Sequence, residues 1–289
     1  MNSNRRIALT IDDLPYVASC VSAKPKEGVE ITNMLLRNLR QHNVKVTGFV
    51  TGKIAEESKK DDLLGKWQSD GHLLANHTYS HHRLSNISSG EFEKEVIENE
   101  KILSPYLENE AEKYFRFPYF DYGNTIEKRS KALEFLHERS YTVVSVTLDS
   151  NDYIYNDFYA EAWLKDDAEK MQHAIGRYLK YIEAVAEFRE QQAMRFFDRP
   201  MGHIMLIHAN RINAYSLDSV IALFKCKGYE FVSLSEVLNE PDFWQSFAKI
   251  YNPQNMSWQK QSGDGKSERI CYPNIDPEII FNYESRITN

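Results

Sequence analysis

The segment Arg6-Ile7-Ala8-Leu9-Thr10-Ile11-Asp12-Asp13-Leu14-Pro15 sets an apolar, β-branched run directly against two adjacent carboxylates. The run reads as a buried strand. Paired acids at the end of such a strand are costly to place without a cation to share them. Further along, Asn76-His77-Thr78-Tyr79-Ser80-His81-His82 supplies two imidazoles four residues apart. On a helix or a tight helical turn that spacing puts His77 and His81 on one face, close enough to grip one metal ion. Taken alone, the stretch reads more plainly as a polar loop with clustered histidines. The N-terminal carboxylates change that balance. Two histidines and one aspartate make a three-ligand site with positions open for water, the pattern of a catalytic rather than a structural metal.

Outward from the first strand, strand-like and helix-like segments alternate, the signature of an α/β architecture on parallel strands. Strands are expected at 7–11, 44–50, 72–75, 114–117, 141–148, 203–208 and 229–233. Helices are expected at 31–42, 61–70, from the capping box Ser88-Ser89-Gly90-Glu91 to 107, from Asn124/Thr125 to 139, at 216–227 and at 235–238. Every conspicuous polar residue falls at the C-terminal end of a strand, where barrel enzymes assemble their sites. The predicted fold is therefore a distorted, incomplete (β/α)7-type barrel, spanning 1–240. Residues 153–200 form a helical insertion, with Met171, Ile175, Tyr178, Ile182 and Val185 at helical spacing, packed on the barrel's side rather than serving as a substrate lid. Residues 241–289 lack a sustained period and are expected as an irregular extension.

The chain has 289 residues, 42% of them hydrophobic, enough to bury a sizeable core. A formal charge of −7 argues against nucleic acid or an anionic membrane as the main partner. Cys20, Cys226 and Cys271 are odd in number and widely spaced, so they read as free thiols. There is no apolar run of membrane-spanning length. The first strand follows Met1 too closely to leave room for a signal peptide, which points to the cytoplasm. A chain trimmed of an export signal, and so periplasmic or secreted, would look the same.

The motifs resemble those of the polysaccharide deacetylases of the NodB-homology type, carbohydrate esterase family 4. Thr10-Ile11-Asp12-Asp13-Leu14-Pro15 resembles the family's Thr-Phe-Asp-Asp-Gly-Pro, and His77-Thr78-Tyr79-Ser80-His81 its His-Ser/Thr-x-x-His. Arg116-Phe117-Pro118-Tyr119 resembles Arg-x-Pro-Tyr/Phe, although the family's glycine after the aromatic residue is displaced here to Gly123. Asp149-Ser150-Asn151-Asp152-Tyr153 resembles Asp-x-x-Asp-Trp with Tyr153 for Trp, and Leu206-Ile207-His208 resembles Leu-x-His. The resemblance covers about residues 6–240, with the five motifs in family order.

It implies an incomplete barrel and a hydrolase that removes N-acetyl groups from chitin-oligosaccharide or peptidoglycan-type saccharides. It assigns Asp13, His77 and His81 to one divalent ion, expected as Zn2+, with Co2+, Ni2+ or Mn2+ also compatible. Asp12 is then the general base, held by Arg116, and the Tyr119 N–H faces the oxyanion. His208 is the general acid, with Asp152 as its orienting partner. Tyr153, Leu206 and Asn210 are expected to line the substrate site, while Asp149 equally suits a turn cap. Hydrolysis of a small non-carbohydrate amide, or a non-catalytic sugar-binding role, are the alternatives.

Overall fold

The computed structural model describes residues 5–17, 25–107, 112–241, 243–250, 257–261 and 267–287. The chain divides into two compact units, one of residues 10–145 with 208–210, the other of 1–9, 146–207 and 211–289. The first strand, β1 (Arg5–Leu14), begins in the second of these and ends in the first.

In the unit of residues 10–145, β1 is followed by α1 (Pro25–His42), β2 (Thr47–Val50), α2 (Gly52–Glu57), α3 (Leu63–Ser69) and β3 (Leu73–Asn76). Then come α4 (Ser89–Leu103), β4 (Lys113–Phe115), α5 (Ile126–Glu138) and β5 (Tyr141–Val143). The five strands pair in parallel in the order β5-β4-β3-β2-β1. Parallel strands covered on both faces need continuous apolar runs, and all four residues of β2 are buried. Helix α1 turns Ile31, Leu35, Leu36 and Leu39 to the core. Helix α4 starts at the expected capping box, Ser88 and Glu91 satisfying each other's backbone N–H. Thr125 caps α5. Between α4, α5 and β4 lies an aromatic cluster in which Phe92 stacks on Phe117 and meets Phe115 edge-on. It anchors the segment that carries Arg116.

In the other unit β6 (Leu148–Asp149) pairs in parallel with β7 (His203–His208), and β8 (Tyr229–Phe231) pairs with the start of β1. Between β6 and β7 lie α6 (Asp152–Leu164) and α7 (Ala168–Phe197), the expected helical insertion resolved as two helices. Helices α8 (Arg211–Cys226) and α9 (Leu234–Leu238) flank β8.

Three expectations are corrected. Residues 141–148 are not one strand. Val144 N–H still bonds the Phe115 carbonyl, but from Thr147 the backbone bonds Ile204 instead, so the run breaks where it changes partner. The helix expected at 216–227 starts five residues earlier, because α8 begins at Arg211 with Ile212 and Ala214 in the core. Residues 241–289 are not irregular throughout. They hold α10 (Phe243–Ile250), an antiparallel pair β9 (Ser257–Gln261) and β10 (Ser267–Cys271), and α11 (Pro277–Ile287). Cys226 and Cys271 are free and exposed, and Cys20 lies outside the described residues. Among the described residues no helix is long and apolar enough to cross a membrane.

Candidate active site

Strand alternation would send Asp12 and Asp13 to opposite faces. It does not, because the β1–β2 register slips between Ile11 and Leu14 and Asp13 takes φ +61°. Leu14 is thereby pressed over Gly48, where an added Cβ would stand 2.0 Å from a Leu14 methyl. Both carboxylates consequently reach one imidazole. His77 Nε2 is 3.7 Å from Asp12 Oδ2 and 3.8 Å from Asp13 Oδ1.

His77 and His81 do converge, but no helix brings them together. Strand β3 ends at Asn76, and left-handed backbone at Thr78 (φ 65°) and His81 (φ 60°) folds the chain back. The imidazole centroids are 4.9 Å apart, with Nε2 to Nε2 at 3.2 Å. A β-branched residue at positive φ costs on the order of 1–3 kcal/mol and persists only where its surroundings over-determine it. Here Thr78 N–H donates to Asn76 Oδ1, and the Thr78 hydroxyl accepts from His81 N–H. The first N–H groups of α2, which a helix leaves unpaired, donate to the Thr78 and Tyr79 carbonyls. Asn76 is held in turn by Asn99 and by the Tyr141 hydroxyl, all within a buried network.

Asp13 Oδ1, His77 and His81 place their donor atoms within 4.8 Å of one another, the metal-ligand group found among the described residues. His81 Nε2 lies 3.3 Å from Asp13 Oδ1, which also accepts from the Thr51 hydroxyl at 3.1 Å. His77 Nδ1 is 2.8 Å from the Arg116 carbonyl, which can only accept, so the proton sits on Nδ1 and Nε2 presents its lone pair. Burial, with His81 beside it, drops His77 to a pKa of about 3, so it is neutral, as a ligand must be. The donor set therefore fits a divalent cation.

Arg116 is wholly buried and donates from Nη1 to Asp12 Oδ1 at 2.5 Å and to the Thr10 hydroxyl at 3.0 Å. Its Nε reaches the Val144 carbonyl and its plane lies 4.0 Å over the Phe49 ring. Burial raises the Asp12 pKa, and the charges of Arg116 and His208 pull it back. His208 ends β7, and the next residue ties back, Ala209 N–H donating to the Asp12 carbonyl. Tyr119 has left-handed backbone (φ 56°, ψ 18°) and an exposed ring, 4.5 Å from that of His81.

The expected residues thus gather in one unit for Asp12, Asp13, His77, His81, Arg116, Tyr119, His208 and Asn210. Asp152, Tyr153, Leu206 and Asp149 belong to the other. There Asp152 is buried at the start of α6, accepting from the Asn213 amide, which itself accepts from Tyr178. Asp149 accepts from Asn151 N–H, a turn contact. Tyr153 packs edge-on against Tyr283 and keeps an exposed face. Leu206 and Asn210 are buried, at 3% and 1% exposure, and offer no surface in this conformation. Sequence reasoning missed Thr51 and Thr10, which bond Asp13 and Arg116. Thr51 follows strand β2 directly, so the rule that polar residues at strand ends matter was sufficient to find it.

The polysaccharide deacetylase family model matches residues 2–136. A peptidoglycan-N-acetylglucosamine deacetylase of Bacillus cereus is 33% identical over 147 residues, 51% of this chain; the chain spans 46% of that relative's length. A chitin deacetylase of Colletotrichum lindemuthianum is 28% identical over 245 residues, 82% of each chain. A solved chitin deacetylase structure from that fungus superposes with a TM-score of 0.54 at 21% identity, covering 83% of this chain and 91% of that one. A carbohydrate esterase family 4 pseudoenzyme from Bacillus anthracis superposes equally well, TM-score 0.54 at 19% identity over 83% of this chain and 67% of that one. The shared fold is the incomplete (β/α) barrel, and it does not by itself decide activity. Family model, motif order and fold agree, and the chain is a homologue of the polysaccharide deacetylases of the NodB-homology type.

Proposed function

We propose that this protein is a divalent-metal-dependent hydrolase that removes N-acetyl groups from amino-sugar oligo- or polysaccharides, releasing acetate. The observation that carries the reading is the Asp13–His77–His81 donor cluster set against an Arg116-held Asp12. Relatives named for peptidoglycan N-acetylglucosamine and for chitin both act on N-acetylated amino sugars.

Asp13, His77 and His81 would hold the cation, and two imidazoles with one carboxylate favour zinc while admitting cobalt, nickel or manganese. When bound, the ion supplies acidity to a water and polarises the acetyl carbonyl. Asp12 takes the proton of the attacking water. Arg116 occupies its Oδ1 and leaves Oδ2 on the His77 side, while burial gives the carboxylate the proton affinity a base needs. The Tyr119 backbone N–H is assigned to the carbonyl oxygen as it gains charge. His208 donates a proton to the departing nitrogen, and Asp152 is assigned to fix its orientation. A C–O bond forms, the C–N bond breaks, and acetate and a free amine leave. Tyr153 supplies an aromatic wall for a sugar ring.

The test is metal analysis joined to acetate release from N-acetylglucosamine oligomers. Wild-type protein is expected to carry about one zinc per chain and to release acetate, with His81→Ala losing both. Equal metal in the two proteins would remove the ligand assignment. Release only from a small acetylated amine would replace saccharide by the non-carbohydrate substrate.

A further inference from the structure

The lip of the Asp13–His77–His81 cluster carries a cationic side chain that the chemistry above does not use. Arg83 is exposed and lays its guanidinium 4.0 Å over the Tyr119 ring, whose other neighbour is His81 at 4.5 Å. The stack is a cation–π contact, which orients the guanidinium without consuming its N–H groups. Among the described residues Arg83 makes no ion pair and no side-chain hydrogen bond.

The carboxylates nearby are already engaged. Asp121 accepts from Ser85 N–H and hydroxyl and from Gly123 N–H; against burial, these bonds and, to a lesser extent, the Arg83 charge hold its pKa low. Glu95 accepts from Ser80 N–H at 2.6 Å and faces His82 at 3.7 Å. Neighbouring Lys128 is spent on the Leu84, Ser85 and Ile87 carbonyls. A guanidinium with its N–H groups unspent therefore sits on a half-exposed aromatic ring, one ring away from a candidate metal ligand, on a chain of net charge −7.

We infer that Arg83 and Tyr119 form a substrate subsite for a carboxylate-bearing sugar next to the acetamido group being cleaved. The inference rests on the deacetylase reading and chooses within it. The two saccharide classes differ in charge: chitin-type chains are neutral, whereas peptidoglycan-type glycan strands freed of their stem peptides carry a lactyl carboxylate on every second residue. The half-exposed Tyr119 ring holds the guanidinium in place, and the guanidinium fork matches the carboxylate in two-pronged fashion. Arg83 is then a specificity determinant, and peptidoglycan-type glycan freed of its stem peptides is the preferred class.

The experiment compares two tetrasaccharides on the zinc-loaded protein: an N-acetylglucosamine tetramer and an alternating N-acetylglucosamine–N-acetylmuramic acid tetramer. The ratio of kcat/KM, charged over neutral, is expected to exceed one in wild type at low salt. It should fall about tenfold in Arg83→Gln and less in Arg83→Lys, which keeps the charge but loses the fork. Added salt should lower the wild-type ratio and leave the Gln variant's ratio nearly unmoved. A ratio unchanged in Arg83→Gln, or a loss equal for both substrates as a merely ring-bracing role predicts, overturns the subsite while leaving the deacetylase standing. If neither tetramer is turned over, the deacetylase reading fails. Calorimetric binding of the same two tetramers to wild type and Arg83→Gln then decides the subsite on its own.

Discussion

Asp12 and Asp13 are consecutive, yet one oxygen of each faces a different partner. Asp12 is tied to a buried guanidinium and Asp13 to a threonine hydroxyl and two imidazoles. A carboxylate already neutralised by Arg116 has less to offer a cation, whereas Asp13 faces both imidazole nitrogens and, among the described residues, has no lysine or arginine paired to it. The roles should separate on substitution. Asp12→Asn keeps a hydrogen-bonding shape but cannot accept the water's proton, so kcat should fall about a hundred- to ten-thousand-fold with metal content unchanged. Asp13→Asn should instead weaken metal binding, and excess zinc should restore part of its activity. A zinc titration of activity in both variants reads the difference. Rescue of Asp12→Asn by metal, with Asp13→Asn inactive at every concentration, would exchange the two assignments.

The loop after β3 depends on the turn that launches the strand, and that turn carries a second buried imidazole. His72 accepts from Val46 N–H through Nδ1, while its Nε2 is buried without a partner. Burial, helped by Lys45, drops its pKa to about 4 from an ordinary 6.5. Between those values the unfolded chain takes up a proton that the folded chain refuses, so stability falls as pH falls through this window, by on the order of 3 kcal/mol in full. In metal-free buffer His77, lowered to about 3, acts in the same sense. His72→Asn keeps an acceptor for Val46 and removes one of the two proton uptakes, so it should roughly halve the loss of stability between pH 7 and 5. Urea unfolding at the two pH values measures this; an unchanged loss in the variant would mean that His72 is protonated when folded. At this scale the sequence was informative where one local signal decided the outcome. The Ser88/Glu91 box starts α4, and His203–His208 is the strand expected. It was uninformative where partners far along the chain decided. Residues 141–148 carry strand propensity throughout, but nothing local says that Val144 bonds Phe115 while Thr147 bonds Ile204. His77 and His81 meet, but not through helical spacing, since the left-handed turns at Thr78 and His81 rest on tertiary contacts to Asn99 and α2.

The cation-binding cluster and its neighbouring base are assembled from short pieces of one unit: a strand end at 12–13, a loop at 77–81, and an arginine 104 residues from the aspartate it holds. The motifs that spell these pieces were legible because each is local. The Thr10–Arg116 and Thr51–Asp13 bonds were not, since they exist only between segments that folding brings together. Such a site is formed in the folded chain and absent from the unfolded one, so cation binding must appear as stability. A ligand at a hundredfold excess over its Kd adds about 2.7 kcal/mol, enough to raise Tm by several degrees in a chain of this size. Metal-stripped wild type should therefore melt at higher temperature on adding zinc. Asp12→Asn should show the same rise, because its carboxylate is not among the ligands, and His81→Ala should show little or none. Magnesium should be a weak substitute, since it prefers an all-oxygen octahedral shell to two imidazoles. Differential scanning calorimetry of the three proteins with each ion separates the outcomes. A rise in His81→Ala as large as in wild type would locate the stabilising cation elsewhere, and an equal effect of magnesium would mean that the imidazoles are not its ligands.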